Sequence, residues 1–237
     1  MKTLGFLLIL PALFPQEKNE AEELLKKSSE KLAAAQSFQC KAQLIVHGAV
    51  GDVTVEQTFQ CAAGNKLRFE MKGKFKDKEL KYLIVSDGSK VRLDLNAPEK
   101  HETIDTPADL NVQVLSMIPR LSLRGSVESM CWPVLGGDKP MECIRFNEFK
   151  SLKVDKASDR EVRSISYLVN QTKPSRGVEG KDTPCTLWID AKTLLPVKRE
   201  LKVKLGHGDH LFMETYSEAA VDEKIDPAKF ELPKDPK

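Results

Sequence analysis

Hydrophobic and polar residues alternate one by one along much of this chain. In residues 196–205, Leu201 and Val203 share one face with other apolar side chains, while lysines occupy the other face. This alternation predicts a β-strand with one buried side and one solvent-facing side. An apolar run precedes it across a polar turn, so residues 185–205 are predicted to form a β-hairpin. Arg199 is the exception, because it places a charge on the apolar face.

The same one-faced strand recurs from end to end of the chain. Hairpin-length links between the strands predict antiparallel neighbours. About ten such strands in one sheet must curl, because each has an apolar face to cover. The other strands are predicted near residues 38–47, 53–61, 67–72, 82–85, 90–95, 100–104, 142–154, 162–171 and 210–221.

Two segments change to a helical period. Residues 19–36 place apolar side chains at spacings of three and four, which is typical of one buried stripe. Residues 109–121 do the same after Thr106 and Pro107, which resemble an N-cap with proline at the first helical position. The expected fold is therefore α+β, a single large curled antiparallel sheet with helices covering its concave face. The stripe of the first helix comprises Ala21, Leu24, Leu25, Ser28, Leu32 and Ala35.

The first hairpin, over residues 38–61, suggests a disulfide. A two-residue turn at residues 50–51 would place Cys40 directly opposite Cys61 on the apolar side. Directly opposed residues of an antiparallel pair lie within disulfide reach. We therefore predict a Cys40–Cys61 cross-strand pair, with two buried thiols as the alternative. The sequence leaves open whether the remaining cysteines pair, namely Cys131, Cys143 and Cys185.

Residues 1–16 have the pattern of an export signal. Lys2 precedes a short apolar run over residues 4–14, which is too short to span a bilayer. The mature chain then forms one domain over residues 17–237. Its net charge is only +2 with 30% charged residues, so the two signs are mixed and a nucleic-acid partner is not expected.

Motifs for covalent chemistry are absent from the sequence. It contains no GxSxG, P-loop, GxGxxG or HExxH segment. The sharpest polar cluster is His-Gly-Asp-His at residues 207–210, which could bind a divalent metal or serve in a hydrolase. A hairpin turn explains every residue of this cluster, because its glycines supply the backbone angles that a turn needs. We therefore expect no metal, no cofactor, no catalytic residue and no enzymatic activity.

Four motifs in order resemble those of the LolA/LolB-like periplasmic lipoprotein carriers, with RseB-like sensors as relatives. The first is the initial helix followed by Ser37 and Phe38. The second is the run LIVSDGSKV at residues 83–91, and the third is LWIDAKTLLPV at residues 187–197. The fourth is the closing segment IDPAKFELP at residues 225–233.

The resemblance implies an unclosed antiparallel β-barrel of about eleven strands, capped by helices on its open side. Residues 17–237 would form this LolA-like half-barrel. It implies a periplasmic monomer that binds a lipid or lipoprotein acyl group in an apolar cavity without covalent chemistry. The alternative is an RseB-like envelope sensor that signals through a membrane-associated protein partner.

In the carrier interpretation, the apolar strand faces and the helix over residues 109–121 line the cavity. Arg199 would lie at the cavity rim, where a charge can reach water. The full set of expected lining residues is Leu44, Val46, Val55, Phe59, Leu67, Phe69, Met71, Leu93, Leu95, Leu110, Val114, Met117, Ile118, Phe146, Tyr167, Trp188, Arg199, Leu201 and Val203.

Overall fold

The described part of the chain contains one α-helix, eleven strands and a short 3-10 helix. A computed structural model describes residues 19–48, 51–75, 78–95, 101–108, 110, 144–157, 160–171, 182–205 and 208–234. The elements are α1 (Glu20–Ala34), β1 (Ser37–Gly48), β2 (Val53–Ala62), β3 (Lys66–Phe75), β4 (Lys78–Asp87), β5 (Lys90–Leu95), β6 (His101–Asp105), β7 (Ile144–Ala157), β8 (Arg160–Gln171), β9 (Thr183–Asp190), β10 (Pro196–Leu205), β11 (Gly208–Val221) and a 3-10 helix (Pro227–Phe230). The predicted strands are confirmed to within a few residues. The predicted export signal lies outside the described residues, and no described helix is long and apolar enough to cross a membrane.

All eleven strands belong to one antiparallel sheet. Its order is β6-β5-β4-β3-β2-β1-β11-β10-β9-β8-β7, which is two meanders joined by the pairing of β1 with β11. Among the described elements, the edge strands are β6 and β7, and they are not paired with each other. The sheet is therefore not closed, as the resemblance to the carriers implies.

Helix α1 follows the predicted apolar stripe. The Asn19 side chain caps it by accepting a hydrogen bond from the Ala21 amide at 3.1 Å. All stripe positions from Ala21 to Ala35 are buried. The second predicted helix, over residues 109–121, lies outside the described residues except for Leu110. A helical cover of the sheet is thus established for α1 alone in the described part of the chain.

The turn between β9 and β10 anchors α1 to the sheet. Asp190 accepts hydrogen bonds from the amides of Lys192 and Thr193 at 2.9 and 2.7 Å. The turn carbonyls then face the helix, where Ser28 Oγ donates to Leu194 O at 2.8 Å and Lys31 Nζ donates to Thr193 O at 2.6 Å. The DxxT turn of the third sequence motif therefore has a structural role in seating α1.

We call the sheet face against which α1 packs the inner face. Ala21, Leu24 and Leu25 of α1 lie on inner residues of β8 and β9. The C-terminal end of α1, at Leu32, joins a larger apolar cluster on β1–β5. That cluster includes Leu44, Val55, Phe59, Leu67, Phe69, Met71, Tyr82, Ile84, Val91 and Leu93.

The register of the first hairpin differs from the prediction. Val46 pairs with Val53 and Leu44 pairs with Val55, so the predicted two-residue turn at residues 50–51 is wrong. The difference is a shift of two residues. Because side chains alternate with a period of two, the predicted apolar face is unchanged and only the partners differ.

The predicted Cys40–Cys61 disulfide is wrong for the same reason. Cys40 pairs with Phe59 and Cys61 pairs with Phe38, so the two cysteines are diagonal neighbours. Diagonal neighbours are about 7–8 Å apart, whereas a disulfide needs Cα atoms about 4.4–6.8 Å apart. Both residues are buried thiols.

The apolar cluster on β1–β5 predicts that two truncations of apolar side chains differ strongly in their effect on the free energy of unfolding. Phe69 is fully buried and stacks on Phe59 with ring centroids 4.7 Å apart, whereas Val154 is 64% exposed. We expect Phe69→Ala to lower the free energy of unfolding by about 3–5 kcal/mol, because it removes buried surface and leaves a cavity. Val154→Ala should change it by less than about 0.5 kcal/mol. Urea denaturation measures both, and equal effects would contradict this assignment of the core.

Candidate functional site

A buried ion pair lies in the middle of the inner face. Arg199 on β10 pairs directly with Glu214 on β11. The guanidinium donates from Nε at 3.0 Å and from Nη2 at 2.7 Å, both to Glu214 Oε2. The side chains are only 8% and 2% exposed. Arg199 is therefore a buried partner in an ion pair rather than a residue of a solvent-facing rim.

Apolar side chains flank this pair on both sides. Directly paired residues project from the same face of a sheet. The row through the ion pair contains, from β2 to β8, Val55, Leu44, Glu214, Arg199, Leu187 and Ile165. The two charges are thus surrounded by hydrocarbon, where each would be costly without the other.

Tyrosine hydroxyls extend the polar group. Tyr216 donates to Glu214 Oε2 at 2.5 Å, so this one oxygen accepts from two side chains. Burial raises the pKa of Tyr216 well above its usual value, and Glu214 adds to this while Arg199 opposes it. Burial likewise raises the pKa of Tyr167, which is hydrogen-bonded to Cys185. Both hydroxyls therefore stay protonated at neutral pH.

Two buried polar groups beside the pair lack hydrogen-bond partners in the described structure. One is Glu214 Oε1, the second oxygen of the paired carboxylate. The other is the Gln57 side chain, whose oxygen and nitrogen are both unpartnered although the residue is 2% exposed. An unsatisfied buried polar group costs about 1–3 kcal/mol. Natural proteins seldom retain such groups, so these atoms need an explanation.

Gln57 and Glu214 belong to neighbouring rows of the same face. The Gln57 row contains Ala42 on β1 and Tyr216 on β11. Ala42 lies between Gln57 and Tyr216 in this row and contributes only a methyl group. We call Gln57, Ala42, Glu214 and Tyr216 the polar niche.

Most of the predicted lining residues lie on the inner face. Leu110 packs against the β1–β5 cluster, and Tyr167 lies beneath α1. Leu201 and Val203 are partly buried against the β1–β5 cluster, and Phe146 contacts both clusters. The residues buried in the β1–β5 cluster are Leu44, Val46, Val55, Phe59, Leu67, Phe69, Met71 and Leu93.

Trp188 does not share this face. It alternates with the inner residues Leu187 and Ile189, and Lys198 Nζ lies 4.5 Å from the centre of its ring. It therefore lies on the outer face of the hairpin. For Leu95 only the backbone, in β5, is described, and the predicted residues Val114, Met117 and Ile118 lie outside the described residues.

Sequence reasoning missed Glu214 and Gln57. Each occupies an apolar-face position of its strand, between Phe212 and Tyr216 for the glutamate and between Val55 and Phe59 for the glutamine. Their positions, two residues from an apolar side chain on either side, were the signal in the sequence that both side chains are buried. The opposite charge of Arg199 was the second signal for Glu214.

The other polar features of the described chain are the turn near His210 and a groove on β1. No group of three or more His, Cys, Asp or Glu side chains suited to a metal occurs among the residues searched. His207 lies outside the described residues, and His210 Nδ1 lies 3.0 Å from Gly208 O within its own strand. A groove of 380 Å³ lies at the β-bulge of β1, lined by Gln39, Lys41, Gln60, Glu218 and Glu223 among others. Its lysine and glutamate side chains bond across the groove, at 2.8 Å between Lys41 and Glu218.

The ion pair predicts a non-additive response to substitution. Arg199→Met or Glu214→Leu alone should lower the free energy of unfolding by about 3–5 kcal/mol, because the remaining charge is buried without a partner. The double variant should lie close to the wild type, because an apolar pair replaces a paired one. Urea denaturation measures the cycle. Lys198→Met, which breaks a partly exposed pair with Glu200, is the control and should cost at most about 1 kcal/mol.

Buried thiols predict a loss of stability at alkaline pH. The pKa of Cys40 is raised by burial and by its neighbours Cys61 and Glu214, and burial raises that of Cys185. A thiol with a raised folded-state pKa stabilises the fold below its unfolded pKa of about 8.5. As pH rises above that value, only the unfolded state loses the proton, and each thiol then costs about 1.4 kcal/mol per pH unit. Urea denaturation at pH 7.5 and 9.5 in a reductant should show this loss. Cys40→Ala with Cys185→Ala should reduce it, and an unchanged loss would contradict the assignment.

Comparison with known proteins identifies likenesses of structure. No protein-family model and no curated protein matches the chain. LprF from Mycobacterium bovis is 14% identical with a TM-score of 0.47 over 87% of this chain and 96% of that one. A LolA superfamily protein from Nitrosomonas europaea is 13% identical with a TM-score of 0.40, over 90% and 97%. A chain of the Pseudomonas aeruginosa MucA/MucB complex is 11% identical with a TM-score of 0.42, over 90% and 61%.

All three likenesses are distant, at 11–14% identity and TM-scores below 0.5, and none assigns the chain a family or a ligand. The chain's own sheet has the strand number, the antiparallel order and the open edges that the four sequence motifs imply. The described part of the chain thus forms an unclosed antiparallel sheet of eleven strands, which is the architecture that the sequence resemblance implies.

Proposed function

We propose that this protein binds a lipid, or the acyl group of a lipoprotein, on the inner face of its sheet and carries it without covalent chemistry. The observation that carries the proposal is the continuous apolar surface on β1–β5. Six aromatic and long aliphatic side chains there are almost fully buried: Phe59, Phe69, Met71, Tyr82, Ile84 and Leu93.

The helix described in the structure covers the other half of the sheet. Helix α1 rests on β7 and β8, and its leucines contact inner residues of β8 and β9. Among the described residues outside the strands, Leu32, Ala35, Leu110 and Leu195 are the buried ones that join the β1–β5 cluster. The leucines of α1 thus lie mainly on the half of the sheet that we do not assign to the ligand.

The unpaired edges of the sheet give an acyl chain a route to the inner face. A closed barrel would admit a ligand only through its ends, whereas β6 and β7 are not paired with each other. An elongated acyl chain can enter between them without breaking strand pairing. Transfer then requires movement of the cover while the sheet keeps its shape, and we place this activity in the periplasm, where the export pattern of residues 1–16 directs the chain.

Tryptophan quenching tests where the acyl chain lies. In a Trp132→Phe background we introduce Phe59→Trp on the inner face, and Trp188 on the outer face is the internal control. Monoacyl phosphatidylcholine with a brominated chain should quench the tryptophan introduced by Phe59→Trp, because bromine quenches on contact. The Trp132→Phe protein, which keeps only Trp188, should show little quenching, and the unbrominated lipid should quench neither.

Equal quenching of both tryptophans would contradict inner-face binding, and no quenching of either would contradict lipid binding altogether. Binding without transfer of the lipid between vesicles would instead favour the envelope sensor. A sensor should in addition retain a membrane-associated protein partner in pull-down experiments from its own envelope.

A further inference from the structure

We propose that the polar niche binds a neutral hydrogen-bond donor, a hydroxyl or an amide N–H, carried by the apolar ligand. This inference rests on the proposed function, because it assigns a place on the same inner face to the polar part of the ligand. Its basis is the pair of unpartnered groups, Glu214 Oε1 and the Gln57 side chain.

The state of Glu214 determines what it can accept. Its carboxylate accepts hydrogen bonds from Arg199 and Tyr216 through Oε2. Oε1 keeps its full capacity as an acceptor while the residue is 1% exposed. A buried carboxylate oxygen of this kind binds an O–H or N–H donor strongly, because the hydrogen bond is charge-assisted.

Gln57 provides the complementary half of the niche. Its amide has both a donor and an acceptor, neither of which is used by the described residues. A hydroxyl can donate to Glu214 and accept from Gln57, and a secondary amide can do the same through its N–H and C=O. Ala42 lies between Gln57 and Tyr216 in the sheet and presents only a methyl group at this point.

Two other ligand chemistries fit less well. A plain hydrocarbon would leave both buried groups unsatisfied. An anionic group would place its charge beside the available oxygen of Glu214, where like charges repel. The positive charge of Arg199 is already paired with the carboxylate of Glu214 through two hydrogen bonds to Oε2, so the pair offers an anion no net positive charge.

Ligands that differ in one donor test the niche. Hexadecanol and hexadecyl methyl ether have the same sixteen-carbon chain and one oxygen each. Only the alcohol can donate a hydrogen bond. Each is titrated against protein loaded with diphenylhexatriene, a fluorescent hydrocarbon without polar groups. We expect the wild type to bind the alcohol about tenfold to a hundredfold more tightly than the ether, from the strength of hydrogen bonds to charged groups.

Matched glutamine variants separate the niche from general effects. Gln57→Met should lower the preference for the alcohol and raise the stability of the protein, because it removes two unsatisfied atoms from the inner face. Gln60→Met changes the same residue type on the outer face of the same strand and should leave the preference unchanged. The double variant Arg199→Met with Glu214→Leu should bind alcohol and ether equally.

The outcomes distinguish the two proposals. Equal binding of alcohol and ether by the wild type, or tighter binding of palmitate than of hexadecanol, would overturn the niche and leave lipid binding intact. A preference for the alcohol that persists in Gln57→Met and in the double variant would also overturn it. Failure to bind diphenylhexatriene and both ligands would overturn lipid binding and the niche together.

Discussion

The pairing of β1 with β11 is the interaction on which the rest of the structure depends. It joins the N-terminal meander β1–β6 to the C-terminal meander β7–β11, and it brings together residues from opposite ends of the chain. Such a non-local pairing carries a large entropic cost, which must be offset by what the joined sheet buries. Side-chain packing at its end is close, because a Cβ on Gly48 would lie 2.2 Å from the ring of His210. The β1–β11 pairing also places Glu214 beside Leu44, so it creates the row of inner-face residues that contains the ion pair.

The Arg199–Glu214 ion pair distinguishes the native register of β10 and β11 from slipped registers. A slip of two residues between β10 and β11 would keep every apolar side chain on the inner face, because the period of a strand is two. It would, however, separate Arg199 from Glu214 and leave two charges buried without partners. The burial of apolar side chains is almost the same in the slipped register, so hydrophobic patterning hardly distinguishes the two. The buried charge pair does, because the slip would leave two charges unpaired at a large cost in free energy. The row that spans β2 to β8 is thus fixed at its centre by electrostatics and on both sides by apolar packing.

The inner face combines an apolar surface with buried polar atoms that have no hydrogen-bond partner among the described residues. Its β1–β5 half is hydrocarbon, and the polar niche sits where this half meets the C-terminal meander. Unsatisfied atoms at Gln57 and Glu214 lower the stability of the protein alone. A ligand with an apolar chain and one donor group would match both properties of the face. This is the physical link between the sheet architecture and the proposed binding activity.

Local patterns in the sequence determined the elements and their faces. The stripe from Ala21 to Ala35 defined α1, and alternation defined strands that the structure confirms within a few residues. The hairpin-length links were also local, and they were enough to predict an antiparallel sheet, whereas its open edges were implied only by the resemblance of the four motifs. These features depend on neighbours in the chain, so the sequence displays them directly.

Tertiary structure alone decided the partners. Alternation cannot distinguish registers that differ by two residues, so the sequence paired Cys40 with Cys61 where the structure pairs Cys40 with Phe59. It also could not show that Arg199 meets Glu214, because that contact depends on the pairing of β10 with β11. Trp188 lies on the outer face because it alternates with the buried Leu187 and Ile189, and the register of β9 and β10 decided only that its partner there is Lys198. The sequence determined which side of each strand is buried, and the folded sheet decided which buried groups meet, because contact between strands depends on register.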